Sequence, residues 1–547
     1  MDSEAMRKDL LECYQRSSIR GLKQATKWAA ELLLSLTKTI ESNGLGDDLS
    51  ADMSDIHNSH SSIEVIHVMT DPMYIMAKSC YDLNEFERTT FLTKNSSVSE
   101  IRFLYFYSRY LSAEKKRLDR MSETNCMATD SAVKLFTDLK DELQDLYFTN
   151  NDFNLDSYLL YVYAIVLLKL ELTWEAKEVL AKSVGLDPLN WCSWHQLSFI
   201  IDDKSQLEVL QLPNHWFKKF FLGDIYLELQ LNEEALTLYT SLQQSFNSCN
   251  YLLSQIAITK HNLRDVDGAI ELFKQIRQSD PTRLDTMDIY SNLLYVKEMR
   301  TELSSLAHSA NDIDPFRVET CCIIANFYSL RGQHPKAVVY FQRALQLNPR
   351  HLSAWTLMGH EYMEMKNTGA AIQAYRSAIK CNKRDYRAWY GLGQTYDIMK
   401  MHAYSLYYYS VAHCLRPNDS RMMIATGETL EKLERNNDAI KCYWKAGGIG
   451  LFRLASLYER LKEDDRAAVA YTDFISRVSN LDINDKQNII HSSDMAHSYR
   501  FLSNYHLNNG DLKLAQLAAH KCSQFAETRD EGKSLLKEIQ KKCSQIE

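Results

Sequence analysis

Few residues of the 547-residue chain have both the types and the spacing of chemistry. HNSHSSIEVIH gathers His57, His60 and His67, and imidazoles are common metal ligands. A zinc site needs four ligands at recognisable spacing. This stretch adjoins a Gly/Asp/Ser-rich run and reads as a polar loop, so no metal is expected. Gly447, Gly448 and Gly450 form a glycine cluster. A phosphate-cradling loop follows a strand and ends in Lys-Ser/Thr. Neither is present here, and the cluster reads as a bend. The 12 cysteines contain no CxxC pair, and Cys321 and Cys322 are adjacent in helical sequence. That suits reduced, mostly buried thiols. No Ser/His/Asp or paired-carboxylate set departs from the surrounding helical pattern. The chain is therefore expected to be no enzyme and to take no cofactor.

The remaining chemistry is recognition, and it depends on a repeat. AWTLMGHEYMEM (354–365) returns 34 residues later as AWYGLGQTYDIM (388–399). Trp355 becomes Trp389, Gly359 becomes Gly393 and Tyr362 becomes Tyr396. Units of 34 residues then start at Trp216, Asn250, Leu284, Val318, Leu352, Tyr386 and Ser420. Position 20 is small in six of the seven units (Ala235, Ala269, Ala337, Ala371, Ser405, Ala439) and Leu303 in the other, and four of the chain's 8 prolines share position 32. Small residues at 8, 20 and 27, aromatics at 4, 11 and 24 and Pro at 32 form the tetratricopeptide signature. Each unit is a pair of antiparallel helices that cannot bury its apolar face alone, so units stack. The expected fold is an all-α tetratricopeptide-repeat α-solenoid. Trp355, Gly359, Tyr362, Ala371, Trp389, Gly393 and Tyr396 are expected to be packing residues.

In such a stack the first helix of each pair lines a concave groove, with positions 2, 5, 9, 12 and 13 turned into it. Those positions and their rim carry Asp285, Asp288, Asn292, Glu319, Asn326, His360, Glu361, Glu364, Gln394 and Asp397. Carboxylates and amides take bidentate hydrogen bonds from a guanidinium, so the expected ligand is an arginine-bearing segment. A co-chaperone clamp for a carboxylate-rich tail is the alternative, but it needs Lys or Arg there. Glu361 and Asn326 are expected to face the groove and to be replaceable without disturbing the fold. Ser405→Ala is expected to be nearly neutral.

The expected organisation is a helix pair over 1–41, a polar loop or linker over 42–62, and degenerate helical repeats over 63–215. Seven regular repeats then occupy 216–453, and further repeats with a capping helix occupy 454–547. Another polar break is expected over 122–131. FLYFYSRYL, LLYVYAIVLL and WCSWHQL make residues 100–200 dense in apolar side chains, and self-association is expected there. A net charge of −8 argues against nucleic acid or an anionic membrane as partner. YLLYVYAIVLL is too short to span a bilayer. MDSEAMRKD has no signal-peptide hydrophobic segment, so an intracellular, soluble protein is expected.

Several stretches resemble subunit eight of the anaphase-promoting complex, the cell-division-cycle twenty-three type. They are FYSRYLSAEKKR (106–117), ETCCIIANFYSLRGQHPKAVVYFQRALQLNP (319–349), the run 354–401, YYYSVAHCLRPNDSRM (407–422) and TRDEGKSLLKEI (528–539). The likeness is strongest over 284–445. It implies a non-catalytic scaffold subunit of a ubiquitin ligase acting in mitotic exit, in nucleus and cytoplasm. It also implies a homodimer formed through the N-terminal repeats, stacking on other tetratricopeptide subunits, and help in docking an activator's Arg-containing C-box. A sibling tetratricopeptide subunit of the same ligase is the nearest alternative.

Overall fold

The computed structural model describes residues 3–42, 70–124, 130–149, 156–201, 203–246, 249–417, 419–479, 492–525 and 528–546. The chain divides into two compact units, Met1–Ile313 and Asp314–Glu547. The polar segment expected over 42–62 lies outside the described residues except Ser42, as do His57, His60 and His67.

The first unit holds α1 (Ser3–Ile19), α2 (Lys23–Ser42), α3 (Pro72–Asp82), α4 (Phe86–Thr93), α5 (Ser99–Thr124), α6 (Asp130–Thr149), α7 (Ser157–Lys169) and α8 (Thr173–Leu186). It continues with α9 (Trp191–Ile200), α10 (Lys204–Val209), α11 (Phe217–Glu228), α12 (Asn232–Gln243), α13 (Asn250–Asn262), α14 (Val266–Ser279), α15 (Met287–Val296) and α16 (Arg300–Ile313). The second unit holds α17 (Val318–Leu330), α18 (His334–Leu347), α19 (Leu352–Glu364), α20 (Thr368–Cys381), α21 (Tyr386–Ile398), α22 (His402–Leu415) and α23 (Ser420–Lys432). It ends with α24 (Asn436–Ala446), α25 (Gly448–Arg460), α26 (Asp464–Ser479), α27 (Ser492–Asn509), α28 (Leu512–Cys522) and α29 (Arg529–Ile546). Among the described residues all regular structure is helical, and each unit is a stack of antiparallel tetratricopeptide-type pairs.

The period of 34 has a backbone cause. Gln230, Arg264, Glu298, Gly332, Lys366, Lys400 and Glu434 all have positive φ, between 53° and 71°, and stand 34 residues apart. Each ends the first helix of a pair. At Lys366 the amide donates to Met363 O (2.9 Å) and the next amide, Asn367, donates to Tyr362 O (2.8 Å). These two bonds close a helix end whose carbonyls would otherwise lack donors and turn the chain back at once. Asn367 Oδ1 then accepts from Ala370 N (3.2 Å) and starts the next helix, as an N-cap side chain does.

Packing repeats at the same period. Tyr375 lies flat on Gly359: a Cβ built there would stand 2.6 Å from the ring. The same pairing joins Gly223 to Tyr239, Gly393 to Tyr409 and Gly427 to Tyr443. Where the ring is Phe273 or Phe341, the residue sixteen positions earlier is Ala257 or Ala325, and all four are buried. Tyr471, sixteen residues after Ala455, breaks that rule. Trp194, Trp355 and Trp389 each donate their indole N–H to the carbonyl six residues earlier, at Pro188 (2.9 Å), Pro349 (2.9 Å) and Lys383 (2.8 Å). The tryptophan thus ties each new pair to the loop before it. Tyr362 accepts from Gln342 (3.3 Å), and Tyr396 accepts from Arg376 (3.0 Å) while stacking on Tyr408. Ala371 is fully buried.

Three expectations need correction. Residues 122–124 continue α5 and 130–131 open α6, so the polar break expected over 122–131 is narrower, because helices take polar side chains on their solvent face. Ser405 is buried and donates to Gly393 O (2.9 Å), so its replacement by Ala loses a hydrogen bond. The apolar density of 100–200 is spent largely inside the first unit. Phe103, Leu104 and Phe106 are buried, and so is every residue from Ser157 to Leu167. Exposed apolar side chains at this end include Met73, Ile75, Met76, Leu83 and Phe91 on and around α3 and α4, and Trp174, Leu186 and Phe199 on α8 and α9.

Candidate partner-binding surface

In the first unit α2 lies against the first helices of the repeats. Its stripe of Trp28, Leu32 and Leu36 is buried. Trp28 stacks on Trp191 of α9 (4.0 Å, 3°) and meets Phe217 and Phe220 of α11 and Tyr251 of α13 edge-on. Lys27 pairs with Asp285, and Arg283 donates to Glu31 at 2.5 Å. Asp9 of α1 accepts from Trp216 Nε1 (2.8 Å). Asp285, expected to face an external arginine, is thus already neutralised by Lys27 of the same chain. Asp288 is 7% exposed, and Asn292 is half-buried on the same helix. The sequence signal for this closure was the apolar stripe of α2, which shows that the helix packs but not against what.

The second unit carries the rest. Arg317 donates to Glu319 (2.9 Å). Asn326 is buried on α17, one turn before Ser329. Glu361 of α19 is 5% exposed. Its carboxylate accepts from Ser329 Oγ (2.7 Å) and meets His334 Nδ1 (2.8 Å). This corrects the expectation that Glu361 and Asn326 can be changed without touching the fold. Burying a carboxylate requires such partners, so Glu361 joins two repeats as well as offering charge. Glu364, one turn on, is exposed. Burial first, and then the charges of Glu361 and Glu364, push the Tyr375 hydroxyl's pKa up, so both carboxylates share its surroundings.

His360 completes this wall. Its Nδ1 is 2.7 Å from the Tyr375 hydroxyl. Its pKa is pushed down to about 4, first by desolvation and then by the charge of Arg387. His360 is exposed, yet the protein packed around it desolvates the ring enough to favour its neutral form. It is neutral at physiological pH and accepts or donates without adding charge. Farther on, Asp397 meets His402 (3.1 Å) and Lys432 (2.6 Å), and Gln394 lies beside Tyr390. The structure therefore brings His360, Glu361 and Glu364 of α19 together around Tyr375, and ties Glu361 to Ser329 of α17. It leaves Glu319 and Asp397 in local ion pairs. Position counting also turns Ser329 into the groove but misses His334; only the fold shows that the two converge on the carboxylate.

The family model described as Anaphase promoting complex subunit 8 / Cdc23 matches residues 5–257. The cell division cycle protein 23 homolog of Homo sapiens is 44% identical over 315 residues, 57% of this chain and 50% of that protein. The chain is thus similar to the anaphase-promoting complex subunit 8 / Cdc23 family. Anaphase-promoting complex subunit 8 of Arabidopsis thaliana is 34% identical over 334 residues, 56% of this chain and 57% of that protein. The chain spans about half the length of the curated relatives it matches. Tetratricopeptide-repeat models match 318–351, 352–385 and 450–480. The crystal structure of the APC/C hetero-tetramer Cut9-Hcn1 shares the fold, with TM-score 0.51 and 16% identity over 89% of this chain and 98% of that one. The match to the subunit 8 / Cdc23 model thus falls on the N-terminal part, whereas the resemblance in the sequence was strongest over 284–445.

Proposed function

We propose that the chain is a non-catalytic scaffold subunit of the anaphase-promoting complex, a ubiquitin ligase controlling mitotic exit, in nucleus and cytoplasm. It stacks on other tetratricopeptide subunits and helps dock the Arg-containing C-box of an activator. The observation that carries the docking role is the Glu361 carboxylate. It is held by Ser329 and His334, with Glu364 exposed one turn away and Asn326 on the neighbouring helix. A carboxylate held in place loses little freedom when it takes a guanidinium, and each charge-assisted bond contributes about 1.5–3 kcal/mol. Asp285 and Asp288 have no part in this reading. Purification of the tagged chain should bring down other subunits of the ligase. A labelled activator peptide should bind at least tenfold more weakly when its arginines become alanine, and similarly to Glu364→Lys. Equal binding by the arginine-free peptide refutes the docking role.

Homodimerisation through the N-terminal repeats belongs to the same proposal. A stack end needs a polar cap, and here Leu83 is 73% and Phe91 81% exposed. The full chain should sediment as a dimer, and Phe91→Glu should shift it to monomer. An unchanged dimer places the interface elsewhere.

A further inference from the structure

The second helices of four successive pairs in the second unit are α18, α20, α22 and α24. Together they carry six Lys or Arg and one acid, Asp438, in a chain whose net charge is −8. The first helices of the same pairs, α17, α19, α21 and α23, carry six acids and three Lys or Arg. Charge is thus sorted by helix type through these pairs.

The cations share one face. Counted from the start of each second helix, positions 4 and 8 are buried, as Ala337 and Phe341 in α18 and Ala371 and Tyr375 in α20. Positions 3, 6, 9, 10 and 13 lie on the other side of the helix. They hold Lys336 and Arg343 of α18, Arg376 and Lys380 of α20, and Lys441 and Lys445 of α24, all exposed. Lys441 pairs with Asp438 (3.4 Å). Among the described residues the other five stand in no ion pair. Lys336 and Arg343 lie over the rings of Tyr328 and Tyr340, and Arg376 donates to the Tyr396 hydroxyl (3.0 Å). In other pairs the outer cation finds a carboxylate of the chain, as Lys274 finds Glu302 (2.8 Å) and Arg466 finds Glu463 (2.9 Å). Apolar groups stand between the charges at the same positions: Val339 of α18, Tyr404 and Tyr407 of α22, and Trp444 of α24, which is 62% exposed.

We propose that this face docks an extended acidic segment of a partner protein, in which carboxylates alternate with apolar or aromatic side chains. Acidity follows from a row of cations that no carboxylate of the chain neutralises. Length follows from the stack. Packed helices stand about 8–10 Å apart, so crossing from α18 to α24 covers about 30 Å, which about nine extended residues span. The apolar positions follow from Tyr404, Tyr407 and Trp444, where the partner meets rings instead of cations. Nucleic acid suits the face less, because duplex DNA carries one charge per about 1.7 Å, far denser than this row. The face shares no residue with the carboxylates of α19, so the proposal does not rest on the docking role argued above.

The test is fluorescence anisotropy of a labelled peptide of about twelve residues, alternating Glu with Tyr or Leu, titrated with the full chain. At an ionic strength of about 0.15 M it should bind with a Kd below about 100 μM. The same peptide with Gln for every Glu should bind at least about tenfold more weakly. Exposed charges contribute little singly, so one variant combines Arg343→Glu, Lys380→Glu and Lys445→Glu and should lose about tenfold or more. Trp444→Ala should lose about threefold or more, which ties the peptide to this face rather than to positive charge in general. Lys513→Glu, at an exposed lysine of α28, should bind like the parent. Circular dichroism of each variant confirms that it is folded. The proposal is overturned if the Glu peptide does not bind up to about 1 mM, if the Gln peptide binds as tightly, or if the folded triple variant or Trp444→Ala binds like the parent. It is also overturned if Lys513→Glu weakens binding as much as the triple variant, or if a single-stranded oligonucleotide binds the face more tightly than the peptide.

Discussion

Replacing Gly359 by Ala probes the contact that sets the spacing of each helix pair. The new Cβ would stand 2.6 Å from Tyr375 Cε1 and 2.7 Å from Cζ, whereas ordinary carbon contacts lie at about 3.5–4.0 Å. The ring cannot retreat freely. Its hydroxyl is bonded to His360 Nδ1 at 2.7 Å, and Gly391 of the next pair presses on it from another side, again at 2.6 Å from a built Cβ. Overpacking of this kind costs about 1–3 kcal/mol. Tyr375→Phe alone loses the His360 bond, about 1 kcal/mol, but frees the ring to slide. The double variant recreates the Ala325–Phe341 pair found one repeat earlier. Its cost should therefore fall below the sum of the single costs by about 1 kcal/mol, a coupling expected only of residues in contact. Urea denaturation of the four proteins, followed by far-UV circular dichroism, measures the cycle. If Gly359→Ala leaves the transition where it was, or if the two costs simply add, the glycine is not there to admit the tyrosine.

Further outcomes follow from other positions. Lys366→Gly, at φ 59°, should raise stability by several tenths to about 1 kcal/mol, and Gly332→Ala at the equivalent turn should lower it by about 1 kcal/mol; urea midpoints decide both. Ala371→Phe should cost about 1–3 kcal/mol by overpacking a fully buried site, and Ser405→Ala about 1 kcal/mol for the lost bond to Gly393 O, read from the same curves. Trp28→Ala should cost about 3–5 kcal/mol and remove amide-exchange protection from α2; Lys27→Ala, in a pair whose lysine is 61% exposed, should cost less than about 1 kcal/mol. His360 is held near pKa 4 in the folded chain against an ordinary 6.5. The unfolded chain then binds the extra proton between those values, so stability should fall as pH drops from 6.5 towards 4. His360→Asn should flatten that window in melts taken at each pH, while Arg387, the other charge named there, stays in place.

What was legible in the sequence is what the repeat says many times over. A tryptophan, a glycine and a tyrosine at fixed offsets mark a helix pair because each answers a local need: an N–H for the preceding loop, room for a ring, and the ring itself. The starts at Asn250, Val318, Leu352, Tyr386 and Ser420 show in the helices to the residue. Sequence counting failed where a residue's fate depends on a partner far along the chain. Asp285 meets Lys27 across 258 positions, and Arg283 meets Glu31 across 252. Nothing local to either end announces that the N-terminal helix closes over these repeats. Glu361 was misread for a related reason. Helical periodicity gives the direction of a side chain, but depth depends on the neighbouring pair, which here supplies Ser329 and His334. The same division explains where kinship shows. Repeat positions answer to packing and are shared by any chain that stacks this way, so models of the repeat alone find 318–385. The N-terminal part must accommodate α1 and α2 against its own repeats, a demand the common pattern does not make. Its side chains are correspondingly particular, and it is there, over 5–257, that the subunit 8 / Cdc23 model matches.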